Sequence, residues 1–166
     1  MKKIMLIFLV VTVLVLGQAA FADNFIAGTN TQGSNINQPR PQKSRFLRTY
    51  AAGFAVSPAE AKYALYADID PSLGRRIFVR AEFQNPLAPG SPLSEEGEIT
   101  VGQASLEVVS QPVRGLRRKH TYWVKVYLYE TFDRQNPIDI LTQNILSNVD
   151  STGDRIVFKA VPAPQR

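Results

Sequence analysis

The chain has 166 residues, a formal net charge of +5, 45% hydrophobic and 20% charged residues, 11 prolines, one histidine and no cysteine. That length suits one domain. Without cysteine there is no disulfide scaffold, thiol nucleophile, thiolate metal site, iron-sulfur cluster or lipobox cysteine, and one histidine excludes a multi-histidine metal centre.

Residues 1–22 carry Lys2 and Lys3, an apolar run from Ile4 to Leu16 broken only by Thr12, and the small-residue ending Ala20-Phe21-Ala22 before Asp23. These are the three regions of a secretory signal peptide, with cleavage expected near Ala22. The run falls short of the roughly 20 residues that span a bilayer, so no membrane span is expected after signal removal. Losing 22 residues leaves 144, with 17 basic against 14 acidic side chains. Such a mild bias gives no reason to expect nucleic acid as a partner. A periplasmic or secreted protein of a bacterial envelope is the expectation, since the chain carries no disulfides.

Residues 23–44 are rich in Asn, Gln, Gly, Ser and Thr and read as a flexible leader. The folded domain is expected over 45–161, and the proline-broken residues 162–166 as a disordered tail. Its first strand candidate is Phe46 to Tyr50. Ser57-Pro58-Ala59-Glu60 then carries a capping-box pattern, which predicts a short helix near 58–62 before a strand from Tyr63 to Ile69. Asp70-Pro71-Ser72-Leu73-Gly74 is expected to close a hairpin onto the next strand, Arg76 to Phe83. Pro86 to Glu98, with three prolines and three glutamates, reads as an exposed loop.

A strand follows at Ala104 to Ser110, and then the segment Arg114-Gly115-Leu116-Arg117-Arg118-Lys119-His120, whose four formal positive charges could grip phosphate or carboxylate groups. The ordinary reading of that cluster is a solvated hairpin loop guarding a strand edge. His120 to Glu130 has the clearest alternation, with Tyr122, Val124, Val126 and Leu128 against Trp123, Lys125, Tyr127 and Tyr129. The stripe Trp123, Tyr127 and Tyr129 would suit sugar rings or a protein partner if open to water, and its ordinary reading is sandwich interior or a covered face. Asp139 to Leu146 and Arg155 to Val161 bring the strand count to seven, after breaks at Asn136-Pro137 and at 151–154.

Seven short strands and almost no helix predict an all-β fold, a single antiparallel β-sandwich of immunoglobulin-like size. The acidic turn pairs Asp68 with Asp70, Asp133 with Asp139 and Asp150 with Asp154 read as turn chemistry rather than a calcium site, and no cofactor or metal is expected. His120 with Ser105 or Ser110 lacks the nucleophile turn of a hydrolase, and Glu95, Glu96 and Glu98 lack orienting groups for glycoside cleavage, so catalysis is not expected. The function expected is that of a non-enzymatic binding, interaction or structural module with a protein partner or envelope component. The candidate ligand-binding residues are Arg114, Arg117, Arg118, Lys119, Trp123, Tyr127 and Tyr129.

Overall fold

The computed structural model describes residues 25–27, 40–57, 59–152 and 155–157. The expected signal (1–22), most of the leader, Pro58, the turn residues 153–154, residues 158–161 of the expected last strand and the tail lie outside the described residues. Among the described residues there are ten strands: β1 (Phe25–Ala27), β2 (Leu47–Val56), β3 (Ala61–Ile69), β4 (Ile77–Phe83), β5 (Leu93–Ile99), β6 (Ser105–Val109), β7 (Thr121–Tyr129), β8 (Asp139–Leu146), β9 (Asp150–Thr152) and β10 (Arg155–Val157). They form two four-stranded antiparallel sheets, β1-β2-β3-β6 and β5-β4-β7-β8, and the small hairpin β9-β10. The two larger sheets pack face to face, so the fold is the expected all-β sandwich.

Alternation builds the core. Ile77, Val79, Ala81 and Phe83 of β4 and Tyr122, Val124, Val126 and Leu128 of β7 point inward and are buried. They meet Phe54, Tyr63 and Leu65 from the other sheet. An aromatic cluster joins the two layers: Tyr63 lies 4.8 Å from the Phe54 ring, 5.5 Å from Phe83 and 6.3 Å from Tyr122. Such contacts add to the large area each ring buries. The Tyr63 hydroxyl donates to the Gln84 carbonyl at 2.8 Å, which satisfies the one polar atom on that ring.

Burial first, and the neighbouring Tyr122 second, push the Tyr63 phenol well above its ordinary value of 10.0. The unfolded chain therefore loses this proton near pH 10 while the folded chain keeps it, so the contribution to stability is complete below pH 10 and is lost as pH rises beyond. Urea unfolding between pH 8 and 11.5 is expected to show a steeper alkaline loss in the wild type than in Tyr63→Phe. Parallel curves would contradict this origin.

Four expectations for the segments between residues 46 and 99 change. The first strand does not stop at Tyr50: a bulge between Thr49 and Ala51 sets Tyr50 aside, and β2 runs on to Val56 with its inward positions moved from Leu47 and Thr49 to Ala52, Phe54 and Val56. The helix expected near 58–62 is replaced by a hairpin turn, with Ala61 and Lys62 already in β3. Ser57 Oγ does accept from the amides of Ala59 and Glu60, at 3.3 and 3.1 Å, but Glu60 turns to Lys62 instead of back to the cap.

Asp70 to Gly74 is no hairpin, because β3 and β4 lie in different sheets. It is a crossover wound into a 3-10 helix (Pro71–Leu73), capped by Asp70 accepting from Ser72 N, with Gly74 in the left-handed region at φ 47°. Finally, Leu93 to Ile99 is not loop but the edge strand β5, paired with β4 along its whole length. Before β2, Gln42 to Ser44 fold back on its first residues through the Lys43–Arg48 bridge, and Phe25 to Ala27 pair with Gly53 to Ala55.

Candidate functional site

The basic segment Arg114 to His120 is a second crossover, from β6 in one sheet to β7 in the other, and not the hairpin loop expected. It leaves β6 through a bridge of Val113 to Ala61 and is then held by the segment that follows β8. Gly115 N donates to Ser151 O, Leu116 N to Ser151 Oγ at 2.9 Å, Arg118 N to Asp150 Oδ1 at 2.6 Å and Lys119 N to Ser147 O. Arg117 N donates to the Tyr122 hydroxyl at 2.8 Å and His120 N to Arg117 O at 3.2 Å. Every backbone N–H from Gly115 to His120 thus has an acceptor. This loop therefore offers an anion no amide nest, and recognition rests on its side chains.

Leu116 anchors the loop in the core with no exposed surface, while Arg114, Arg117, Arg118, Lys119 and His120 are exposed. Gly115 adopts φ 76°, in the left-handed region that favours glycine, and it sits against the side chain of Leu87. Among the described residues, no carboxylate pairs with Arg117, Arg118 or Lys119. Six cations elsewhere are paired with carboxylates: Arg48 with Asp68, Lys62 with Glu60, Arg75 with Glu130, Arg76 with Glu98, Arg80 with Glu82 and Arg134 with Glu96. The loop thus combines a fixed backbone with three cations, Arg117, Arg118 and Lys119, that meet no carboxylate among the described residues.

The aromatic stripe is brought together, but on the outer face of the second sheet and not in the sandwich interior. Trp123, Lys125 and Tyr127 are half-buried there, and Tyr129 is buried. Each ring carries a cation. Lys125 Nζ lies 5.0 Å from the Trp123 ring, Arg80 lies 5.2 Å from Tyr127 and 5.9 Å from Tyr129, and Arg76 lies 5.2 Å from Phe78. Tyr127 also donates to Glu82 Oε2 at 3.0 Å, and burial followed by that carboxylate raises its phenol.

A sugar ring would have to displace these cations to stack, so the face is a poor open platform. Residues the sequence did not single out extend it. Phe132, 73% exposed, meets Phe78 edge-on at 5.6 Å, with Arg134 over its ring at 5.2 Å, and Ile140 is 46% exposed opposite Tyr127. Phe132 lies outside any alternating run, which is why periodicity passes over it.

The acidic turn residues serve local structure. Asp68 pairs with Arg48, Asp70 caps the 3-10 helix, Asp133 accepts from Thr131, Asp139 accepts from Ser44, Arg45 and Phe46, and Asp150 accepts from Arg118. Hydrogen bonds from Ser72, with Lys43 contributing less, hold the Asp70 carboxyl below its ordinary value. Ser110 Oγ is engaged by Tyr63 N and Gln111 O, which leaves it poorly placed to act as a nucleophile. Glu96 and Glu98 face arginines from the edge strand.

A cleft of about 230 Å³ lies at the opposite crossover, lined by Lys43, Arg45, Arg48, Asp68 and Asp70 among others. It mixes both signs of charge, and Arg48 and Asp68 neutralise each other. Comparison with protein families, curated proteins and solved structures finds no match to this chain.

Proposed function

We propose that the chain is exported with loss of residues 1–22 and works, without catalysis, as a binding module of the bacterial cell envelope. It takes an anionic partner on Arg114, Arg117, Arg118 and Lys119. One observation carries this reading: among the described residues Arg117, Arg118 and Lys119 meet no carboxylate partner, on a loop whose backbone amides are all bonded from Gly115 to His120. Pre-ordering the backbone lowers the entropy lost when these long side chains close on a phosphate or carboxylate group. Arginine adds paired donors that match the geometry of either anion.

The test is retention on immobilised dextran sulfate and capture of long-chain polyphosphate as salt rises. Binding is expected to fall steeply with salt, and Arg117→Glu with Arg118→Glu to weaken it by tenfold or more, on the order of 1.4 kcal/mol. Unchanged binding in that variant would overturn the assignment to this loop. A matched control, Arg76→Glu, alters a paired arginine on the outer face and is expected to leave retention near wild type.

Exposed Phe132 and Ile140 favour a second reading, in which the outer face of β4 and β7 meets a protein. Phe132→Ser with Ile140→Ser is expected to abolish salt-resistant capture of an envelope protein while sparing dextran sulfate binding. Persisting capture would refute the second reading alone.

A further inference from the structure

The end of the sandwich that carries the second crossover also carries the connection from β4 to β5. Gln84, just past β4, is tied to the start of β7, since its amide donates to Trp123 O at 3.0 Å and its Oε1 accepts from Trp123 N at 3.3 Å. Asn85 then organises a turn. Its Oδ1 accepts from Leu87 N at 3.1 Å and Ala88 N at 3.3 Å, and Ser91 N donates to Ala88 O at 2.8 Å. The turn brings the Leu87 side chain against Gly115 of the cationic loop, yet Leu87 stays 71% exposed. Residues 85–92 read NPLAPGSP and include no charged side chain.

Two features of opposite character therefore share one surface: a braced apolar tip, and the exposed cations Arg117, Arg118 and Lys119 beside it. Two acidic side chains nearby are engaged, Glu60 by Lys62 and Asp150 by the Arg118 amide. A soluble polyanion would be gripped by the cations and has no counterpart for an exposed leucine. The surface of a bilayer that contains anionic lipid presents both counterparts at once, phosphates in the headgroup layer and hydrocarbon beneath them.

We propose that this end of the sandwich docks on a membrane surface that contains anionic phospholipid, with Leu87 entering the leaflet and Arg117, Arg118 and Lys119 meeting headgroup phosphates. This docking rests on the anion-binding role of the 114–120 loop and names its partner. Neither signal suffices alone. A cation near an anionic leaflet strengthens attachment roughly fivefold, and one inserted leucine strengthens it on the order of tenfold. Together they give reversible attachment to the surface. Bracing contributes as well, because a turn already folded around Asn85 loses little freedom on insertion. The far end of the sandwich supplies a contrast. Val101, 69% exposed, follows Ile99, which pairs with the first residue of β4, so it lies about 20 Å along the strand from Leu87.

The test is flotation of the full chain, expressed for export, with vesicles of phosphatidylcholine alone or of equal parts phosphatidylcholine and phosphatidylglycerol. Binding is expected to the mixed vesicles and not to phosphatidylcholine alone. Leu87→Ser is expected to weaken it about tenfold and to leave dextran sulfate retention near wild type. Equal binding to both kinds of vesicle would overturn the proposal, as would equal vesicle binding by wild type and Leu87→Ser. Dextran sulfate retention without any vesicle binding would overturn the membrane as partner and leave the anion-binding role of the loop standing. Loss of both in the wild type would overturn both.

The natural lack of cysteine allows a second readout at single positions. An environment-sensitive dye on Leu87→Cys is expected to shift to the blue on mixed vesicles, and the same dye on Val101→Cys to emit as in water. No shift at Leu87→Cys would overturn the proposal whatever the dye at Val101→Cys does.

Discussion

Leu116→Ala is expected to lower the unfolding free energy by about 3 kcal/mol and to weaken dextran sulfate retention with it. Leu116 is the one apolar side chain among the cations of the second crossover and has no exposed surface. Removing three methyl or methylene groups' worth of packing leaves a cavity between the loop and the core, which only partial collapse can fill. Its backbone is fastened on both sides, since Leu116 N donates to Ser151 Oγ and Leu116 O accepts from Ser151 N, so the loop has little freedom to sink. For a domain of this size, 3 kcal/mol corresponds to a fall in Tm of roughly 10–15 °C. Leu116→Met nearly conserves volume and should cost less than about 1.5 kcal/mol. A Tm change of only a degree or two in Leu116→Ala would mean that the loop is not held through this side chain.

The second large effect is expected at Asp139. Its Oδ2 accepts from Ser44 Oγ at 2.6 Å and Phe46 N at 2.8 Å, and its Oδ1 from Arg45 N at 3.2 Å and Ile140 N at 3.0 Å. One carboxylate on the second sheet thereby fastens the chain that enters the first. Asp139→Ala is expected to cost about 2–3 kcal/mol, because charged acceptors contribute more than neutral ones and the buried Phe46 would keep an amide without its partner. Asp139→Asn retains an acceptor oxygen and should fall between.

Trypsin offers a local readout. Lys43, Arg45 and Arg48 lie in or next to the fastened segment. Cleavage there is expected to accelerate in Asp139→Ala well before global unfolding. Equal cleavage rates in wild type and variant would show that the fastening lies elsewhere.

Much of the sandwich was legible because its central strands are buried on one face. Asp139 to Leu146 has the bounds expected, and β4 and β7 differ from expectation by one residue at each changed end. What escaped the sequence has a physical pattern. Tyr50 occupies a bulge, so alternation on its two sides is out of phase, and a reading that demands one phase stops there. Strand β5 reads LSEEGEI: at a sheet edge, charge replaces alternation, and Glu96 and Glu98 are pulled into place by Arg134 and Arg76, arginines far away in sequence. Ser57 showed capping chemistry correctly, but the same hydrogen bonds close a hairpin when the chain beyond is claimed by a sheet.

The candidate site was legible in composition and not in shape. Arg114 to Lys119 stand out in any reading of charge. Their fixation does not, because it depends on Ser147, Asp150 and Ser151, some thirty residues downstream. Trp123, Tyr127 and Tyr129 share a face as their spacing requires, but which face meets the core depended on whether Tyr122 or Trp123 turned inward. Both sides of that strand are partly apolar, so periodicity alone could not choose.

The fastening of the amino-terminal segment also orders events in time. Gln143 accepts from Gln42 N across 101 positions of sequence, and Asp139 reaches Ser44 and Phe46 across 95 and 93. A chain made from its amino end can pair β2 with β3 as soon as both exist, but its entrance stays unlatched until β8 has been synthesised. Such distant closures make folding slow, since loop entropy is lost before the contacts form. For a chain proposed to cross a membrane, the entrance to the first sheet can therefore be fastened only once β8 has joined the fold.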